Sequence, residues 1–417
     1  MPSGLKTKSS IPKHLLAIFI ACTLVVFAFE IVLQTFHPNK ISPDLNQSHY
    51  GLPVVLRANL DVELDWLHGQ FYPPFRFQTN AQHFINDREF QYEKSPGVFR
   101  ILMLGDSGFM GLGVEYNEVF SKNLGELLAK NAKGKEIEVI NFSGVAWSSI
   151  QFLTFLKNEG YKYHPDLVII SQGENDFRVK YNELIEVNNI SKEKLSDGRF
   201  KINLGELKIN QKNDSAVSII WETVRKLPFY LEASKYSQLL HQFRSKVNAL
   251  WYYREPSKLF KSKQLGYFLE TNNIEVTKDT LFSFNGNEFS IDPQQHSISF
   301  LAGDYSQSVF EAHANIALHS ATQVKLSQTL NDLNSKLIVI DMPLWQQTLG
   351  IATIKKTRFV DSNLKNYFYL HPKDSLKKFQ SSNIGIPLYF FNDHHLSPAG
   401  HRLMSILVYN FLKETAL

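Results

Sequence analysis

Short apolar runs that end at small polar turns recur along the chain, and leucines at helical spacing fall between them. Phe99–Leu104 (FRILML) is a short apolar run ending in Gly-Asp-Ser, the pattern of a buried strand. Glu118–Asn131 follows with Leu124, Leu127 and Leu128 on one helical face. Glu136–Asn141 (EIEVIN) reads as a second strand, Trp147–Glu159 as a helix and Pro165–Ser171 (PDLVIIS) as a third strand. Strands alternating with helices predict βαβ units, hence a parallel sheet covered on both faces. Residues 179–306 break this rhythm. They are polar, rich in Asn, Lys and Ser, with amphipathic stretches near 217–252 and strand-like pieces near 263–300, and they read as an insertion. The alternation returns with a helix across 308–334, a fourth strand at Lys336–Asp341 (KLIVID) and a terminal helix at Pro398–Lys413. Ile386–Phe391 (IPLYFF) either extends the sheet or caps it.

The N-terminal pattern is different. His14–Gln34 (HLLAIFIACTLVVFAFEIVLQ) is apolar all round, and about 20 such residues cross a bilayer core. Its one acid, Glu30, stands near one end, and Lys6, Lys8 and Lys13 all lie at or before its start. The expectation is a transmembrane helix over 14–34, with residues 1–13 cytoplasmic and the rest outside the cytoplasm. A cleaved signal peptide and a lipoprotein-like box at Phe19-Ile20-Ala21-Cys22 are rivals. The apolar run continues past both. Residues 35–95, with Pro38, Pro43, Pro53 and Pro73-Pro74, read as an irregular juxtamembrane lead-in. The expected division is therefore 1–13 tail, 14–34 membrane helix, 35–95 lead-in, 96–178 with 307–417 catalytic domain, and 179–306 insertion.

Composition narrows the function classes. With 43% hydrophobic and 20% charged residues, a substantial core forms and global disorder is excluded. The net charge is +4, and the three lysines of the first thirteen residues carry most of it. No electrostatic footprint for nucleic acid remains. The single cysteine, Cys22, excludes an intrachain disulfide and any cysteine-based metal site.

Candidate chemistry gathers where the strands end, which is where open parallel sheets bind ligands. Gly105-Asp106-Ser107 follows the first strand, with Gly108, Gly111 and Gly113 allowing a sharp turn. Asn141-Phe142-Ser143-Gly144 closes the second strand, where Gly144 can offer a backbone N–H. Gly173-Glu174-Asn175-Asp176 follows the third, where Asn175 can offer a side-chain amide. With the Ser107 N–H these are three neutral donors, suited to the oxyanion of an acyl-transfer intermediate. Near the C-terminus, Asn392-Asp393-His394-His395 lies on a loop before the last helix. A serine hydroxyl needs such a histidine, oriented by a carboxylate, to become nucleophilic. Each piece alone also has a plain reading: Gly144 as a turn glycine, Asn175 as a helix cap, and His394, His395 and His401 as surface residues or a metal pair.

The order Ser107, Gly144, Asn175, His395 resembles the four blocks that name the SGNH (GDSL-type) hydrolase superfamily. The first block stands here as GDSGFMGLG and the third as GEND. The resemblance covers 97–178 and 336–417. The lead-in FRFQTNAQHFINDREF is similar to the segment preceding the catalytic domain in membrane-anchored bacterial members. The resemblance implies a three-layer α/β/α sandwich with a mostly parallel, flavodoxin-like sheet, a Ser-His-Asp unit, no cofactor and no metal. Relatives act as esterases, lipases, carbohydrate deacetylases and glycan O-acetyltransferases. One departure matters: the usual Asp-x-x-His block would need an aspartate at Asn392. Asp393 lies two before His395, and Asp-x-His resembles the variant of alginate-type O-acetyltransferases. Asp393 is therefore expected to orient His395. The expected partners are an ester substrate, such as an acylated carbohydrate, and envelope glycan-assembly proteins. The rival expectation is a catalytically degenerate glycan-binding component. Trp221, Trp251, Tyr252 and Tyr253 of the insertion could stack on sugar rings but equally suit a core.

Overall fold

The computed structural model describes residues 13–36, 44–65, 73–173, 185–209, 265–290, 309–343, 364–390 and 395–415 apart from positions 51, 133 and 278. It also describes residue 176, a scatter of positions between 223 and 240, and residues 348–349. Two compact units form: residues 1–44 with 216–254, and residues 45–215 with 255–417.

The larger unit is built on five strands: β1 (Val98–Gly105), β2 (Glu136–Ser143), β3 (Leu167–Gln172), β4 (Lys336–Asp341) and β5 (Tyr367–Leu370). Their spatial order is 2-1-3-4-5, and all four pairings are parallel. This is the flavodoxin-like doubly wound order, with its switch point between β1 and β3. Side chains alternate along each strand, so β1 sends Ile101 and Met103 to one face and Leu102 and Leu104 to the other. On the first face pack α3 (Phe120–Asn131), α7 (Lys373–Ser382) and α8 (Pro398–Glu414), through Phe120, Leu124, Leu376, Met404 and Val408. On the second pack α4 (Ser149–Asn158) and α6 (Val309–Asp332), through Phe152, Leu156, Ile316 and Val324. The three-layer α/β/α arrangement expected from the alternating pattern is thus present. The short helix α2 (Ser107–Met110) leaves β1 directly, and α5 (Leu265–Thr271) lies between α4 and α6 in the chain.

Two expectations change. Of Ile386–Phe391, the described residues 386–390 do not extend the sheet, and Phe391 lies outside the described residues. The fifth strand is Tyr367–Leu370, and Tyr389 instead makes an isolated antiparallel bridge with Leu396. The lead-in is less irregular than its prolines suggest. It holds two antiparallel pairs, Asn46–His49 with Leu52–Leu56 and Asp61–Leu64 with Phe75–Gln78. Within the span read as an insertion, Ile202, Leu204, Leu265, Phe282 and Phe289 are buried in the same core as Phe142 and Phe155.

In the smaller unit, α1 (Lys13–Phe36) is a 24-residue helix. Ile18, Leu24, Val25, Phe27, Phe29 and Ile31 are exposed on it. Glu30 accepts from the Ser237 hydroxyl and the Leu239 N–H, both at 3.0 Å. Among the described residues no helix is long and apolar enough to cross a membrane. The side chains of residues 13–16, 19 and 36 in α1 lie outside that description.

Candidate functional site

Ser107 and Gly144 stand at the carboxyl edge of the sheet, beginning at the switch point. Asp106 is extended (φ −91°, ψ −159°) and caps α2, its Oδ1 accepting from the Gly108 N–H at 2.9 Å. Its own N–H donates to Ser171 Oγ on β3 at 3.2 Å. This pins the turn after β1 to the neighbouring strand and makes Ser107 the first residue of a helix. Gly105 is required here, since a Cβ would run into the Phe109 side chain one turn on. A Cβ on Gly173 would lie 3.7 Å from Asp106 Oδ2, so the ends of β1 and β3 approach closely. Ser107 is only 7% exposed.

Gly144 stands at the end of β2, and its N–H donates to Gly105 O at 3.1 Å, extending the β1–β2 ladder by one bond. The expected oxyanion donor is therefore already engaged in this structure. A side chain at Gly144 would collide with the indole of Trp147, whose Nε1–H donates to Val54 O at 3.0 Å.

Asn175 and Asp393 lie outside the described residues, but the anchorage next to Asn175 is visible. Asp176 is buried. Its Oδ2 accepts from the Gly173 N–H at 2.8 Å. Its Oδ1 accepts from the N–H and the hydroxyl of Ser149, at 2.9 and 2.8 Å. The hydroxyl has one proton, which goes to Asp176, so it must accept from His319 Nδ1 at 2.5 Å. His319 Nε2 then accepts from the Gln323 amide at 2.7 Å. The same amide also donates to Gln172 Oε1 at 2.8 Å, and Gln323 Oε1 accepts from Tyr367 at 2.7 Å. With a proton on Nδ1 these bonds are satisfied together, while the 3.3 Å contact of Nε2 with Gln172 Oε1 is not one of them. Although it contains Ser, His and Asp, it is not a nucleophile–base–acid relay. Ser149 and Asp176 crowd the same imidazole nitrogen, and all three side chains are buried.

His395 lies on a hairpin. Phe390 N–H donates to His395 O at 3.1 Å and Ser397 N–H to Leu388 O at 2.9 Å. Ser397 then caps α8, accepting from Gly400 N–H at 3.2 Å, with Pro398 at the first helical position. The Tyr389 hydroxyl donates to Pro343 O at 2.7 Å, which ties the hairpin to the end of β4. Met342, just before it, brings its Cε to within 3.7 Å of a Cβ built on Gly108. The Ser107 turn and the His395 hairpin thus flank Met342 on one edge.

His401 is not a surface residue. It is fully buried, its Nδ1 accepts from the Phe120 N–H at 3.2 Å, and burial, aided by nearby His395, pulls its pKa down to about 3. Among the described residues no three His, Cys, Asp or Glu side chains gather as a metal site.

No protein-family model and no curated protein matches the sequence. Solved structures give remote likenesses. An acetylxylan esterase from Geobacillus stearothermophilus is 11% identical, covering 76% of this chain and 94% of its own, with a TM-score of 0.35. A lipase/acylhydrolase from Enterococcus faecalis is 12% identical, covering 76% and 96%, with a TM-score of 0.26. At such scores the likeness carries no weight for fold or chemistry, which rest on the sheet order and the site geometry.

Proposed function

We propose that this chain is a membrane-anchored serine esterase or O-acyltransferase acting on ester-linked acyl groups, acetyl above all, of an extracytoplasmic glycan. The observation that carries the reading is the position of Ser107. It begins a helix at the switch point of a doubly wound sheet, with a histidine hairpin tied to the same edge. In this reading Ser107 Oγ attacks the ester carbonyl while His395 takes its proton, and Asp393 holds the imidazole in register. The Ser107 N–H and the Asn175 amide receive the developing negative charge. Gly144 joins them only if its N–H leaves Gly105 O. His395 returns the proton to the departing alcohol, leaving an acyl-serine. Water or a sugar hydroxyl then attacks the acyl-serine, with His395 again as base. The choice of acceptor separates hydrolase from transferase.

Anchoring is part of the proposal. By length alone, at about 1.5 Å per residue, a 24-residue helix is roughly 36 Å long, comparable to a bilayer core. Its apolar side chains are exposed, and the lysines at its start favour a cytoplasmic N-terminus. The catalytic unit then lies in the periplasm or at the cell surface.

A second reading has its own support. The occupied Gly144 N–H favours a degenerate module that binds acylated glycan without turning it over. A fluorophosphonate probe separates the two. Covalent labelling that disappears in Ser107→Ala supports the enzyme. A native chain that stays unlabelled leaves the binding module.

A further inference from the structure

The same edge of the sheet carries a second histidine–carboxylate pair that the acyl-transfer reading does not use. Asp341 is the last residue of β4, and His371 follows the last residue of β5. Because Ile340 pairs with Leu370, the two side chains stand opposite each other one step on. His371 Nδ1 lies 2.9 Å from Asp341 Oδ2, and the side chains are 18% and 25% exposed. The Tyr369 ring packs edge-on against the imidazole, with centroids 4.3 Å apart at 71°. Its hydroxyl is held by the Gln172 amide at 2.9 Å.

A partly exposed ion pair contributes about 0–1 kcal/mol at most, so stability is a weak reason for this dyad. Its position is more informative. Nδ1 faces Asp341 Oδ2, which leaves Nε2 and Asp341 Oδ1 outside that contact as neighbouring polar atoms. Among the described residues neither atom has a hydrogen-bond partner. Two adjacent polar atoms beside an aromatic ring suit neighbouring hydroxyl groups. Strands are spaced about 4.8 Å apart, so β4 and β5 end roughly 10 and 14 Å from the end of β1. One or two sugar rings bridge that distance from an acyl group held at Ser107.

We infer that the His371–Asp341 dyad is a subsite for the vicinal hydroxyls of the alcohol part of the substrate, a sugar or similar polyol. The inference relies on the esterase reading for where the acyl group sits, but the diol contact stands apart from turnover. The test therefore has a binding arm and a turnover arm. The first titrates an O-acetylated methyl glycoside with a free vicinal diol into the full chain carrying Ser107→Ala, by calorimetry. Adding His371→Ala or Asp341→Asn should weaken binding about tenfold. His371→Gln, which keeps a hydrogen-bonding group, should lose about threefold or less. A deoxy analogue without the diol should bind all of these alike. In the second arm, with Ser107 intact, His371→Ala should leave 4-nitrophenyl acetate turnover unchanged and raise KM for the glycoside ester. Unaltered glycoside affinity in both dyad variants overturns the inference, as does no binding at all or equal loss for the two esters. Absence of turnover in the native chain rejects the esterase reading instead, and the calorimetry still decides the subsite.

Discussion

Asp176→Ala removes the acceptor that ties the end of β3 to the start of α4, and the structure sets the size of the effect. The carboxylate takes two backbone N–H groups, from Gly173 at 2.8 Å and Ser149 at 2.9 Å, and the Ser149 hydroxyl at 2.8 Å. The hydroxyl can turn elsewhere, but the backbone donors cannot. Each buried donor left unsatisfied costs about 1–3 kcal/mol, so the variant should lose about 2–6 kcal/mol. Ser149→Ala is the control. It removes a donor and an acceptor together, leaves both backbone bonds in place, and lets His319 Nδ1–H turn to Asp176 Oδ1, 3.2 Å away. Its cost should be on the order of 1 kcal/mol. Urea unfolding followed by Trp147 fluorescence reads both. With a slope of about 2 kcal/mol per molar, the Asp176 midpoint should fall by roughly 1–3 M. Hydrogen exchange at the Gly173 amide should accelerate in Asp176→Ala and not in Ser149→Ala. A loss below about 1 kcal/mol for Asp176→Ala, or equal losses for the two variants, would refute the view that this carboxylate ties β3 to α4.

Stability should fall in acid for a definite reason. Burial lowers the pKa of His401 to about 3 and that of His83 to about 4, where a bond to Leu56 O opposes the shift and His49 adds to it. Both folded values lie below the unfolded 6.5, so between about pH 4 and 6.5 the unfolded chain binds protons that the folded chain does not. Stability is then lost as pH drops through 6.5, at up to about 1.4 kcal/mol per pH unit for each group. Urea titrations at pH 4.5–6.5 should show a slope shallower by about that amount in His401→Gln; an unchanged slope counts against the argument. Asp393→Asn should slow ester turnover while Asn392→Ala does much less, and equal damage would mean that another group orients His395. A reporter fused after residue 40 should be active only outside the cytoplasm; cytoplasmic activity rejects the proposed orientation.

Four of the five central strands were readable because each is a short apolar run ending in a turn with usable side chains. The fifth was not. Tyr367–Leu370 (YFYL) is four residues long, follows a polar stretch and carries two tyrosine hydroxyls, one of them spent on Gln323. Ile386–Phe391 looked more like a strand because it is more apolar. Of these, residues 386–390 instead brace the hairpin that presents His395. The lead-in pairs were legible in principle, since DVEL and FRFQ alternate with period two and bury alternate residues. Ser107 and His395 stood out by chemistry at strand and loop ends. The Ser149–Asp176–His319 network did not, because its members are far apart in sequence and each suits its own element unremarkably. Nor did spacing reveal the His371–Asp341 dyad, which depends on the parallel register of β4 and β5.

The central claim is that Ser107 and His395 work as nucleophile and base in one site. The structure of the chain inactivated by a phosphonate ester tests it most directly. The account predicts phosphorus bonded to Ser107 Oγ and a His395 ring nitrogen within about 2.6–3.2 Å of that oxygen. The phosphonyl oxygen should accept from the Ser107 N–H and the Asn175 amide. Phosphorus on another side chain, or His395 out of reach once Ser107 is modified, would contradict it.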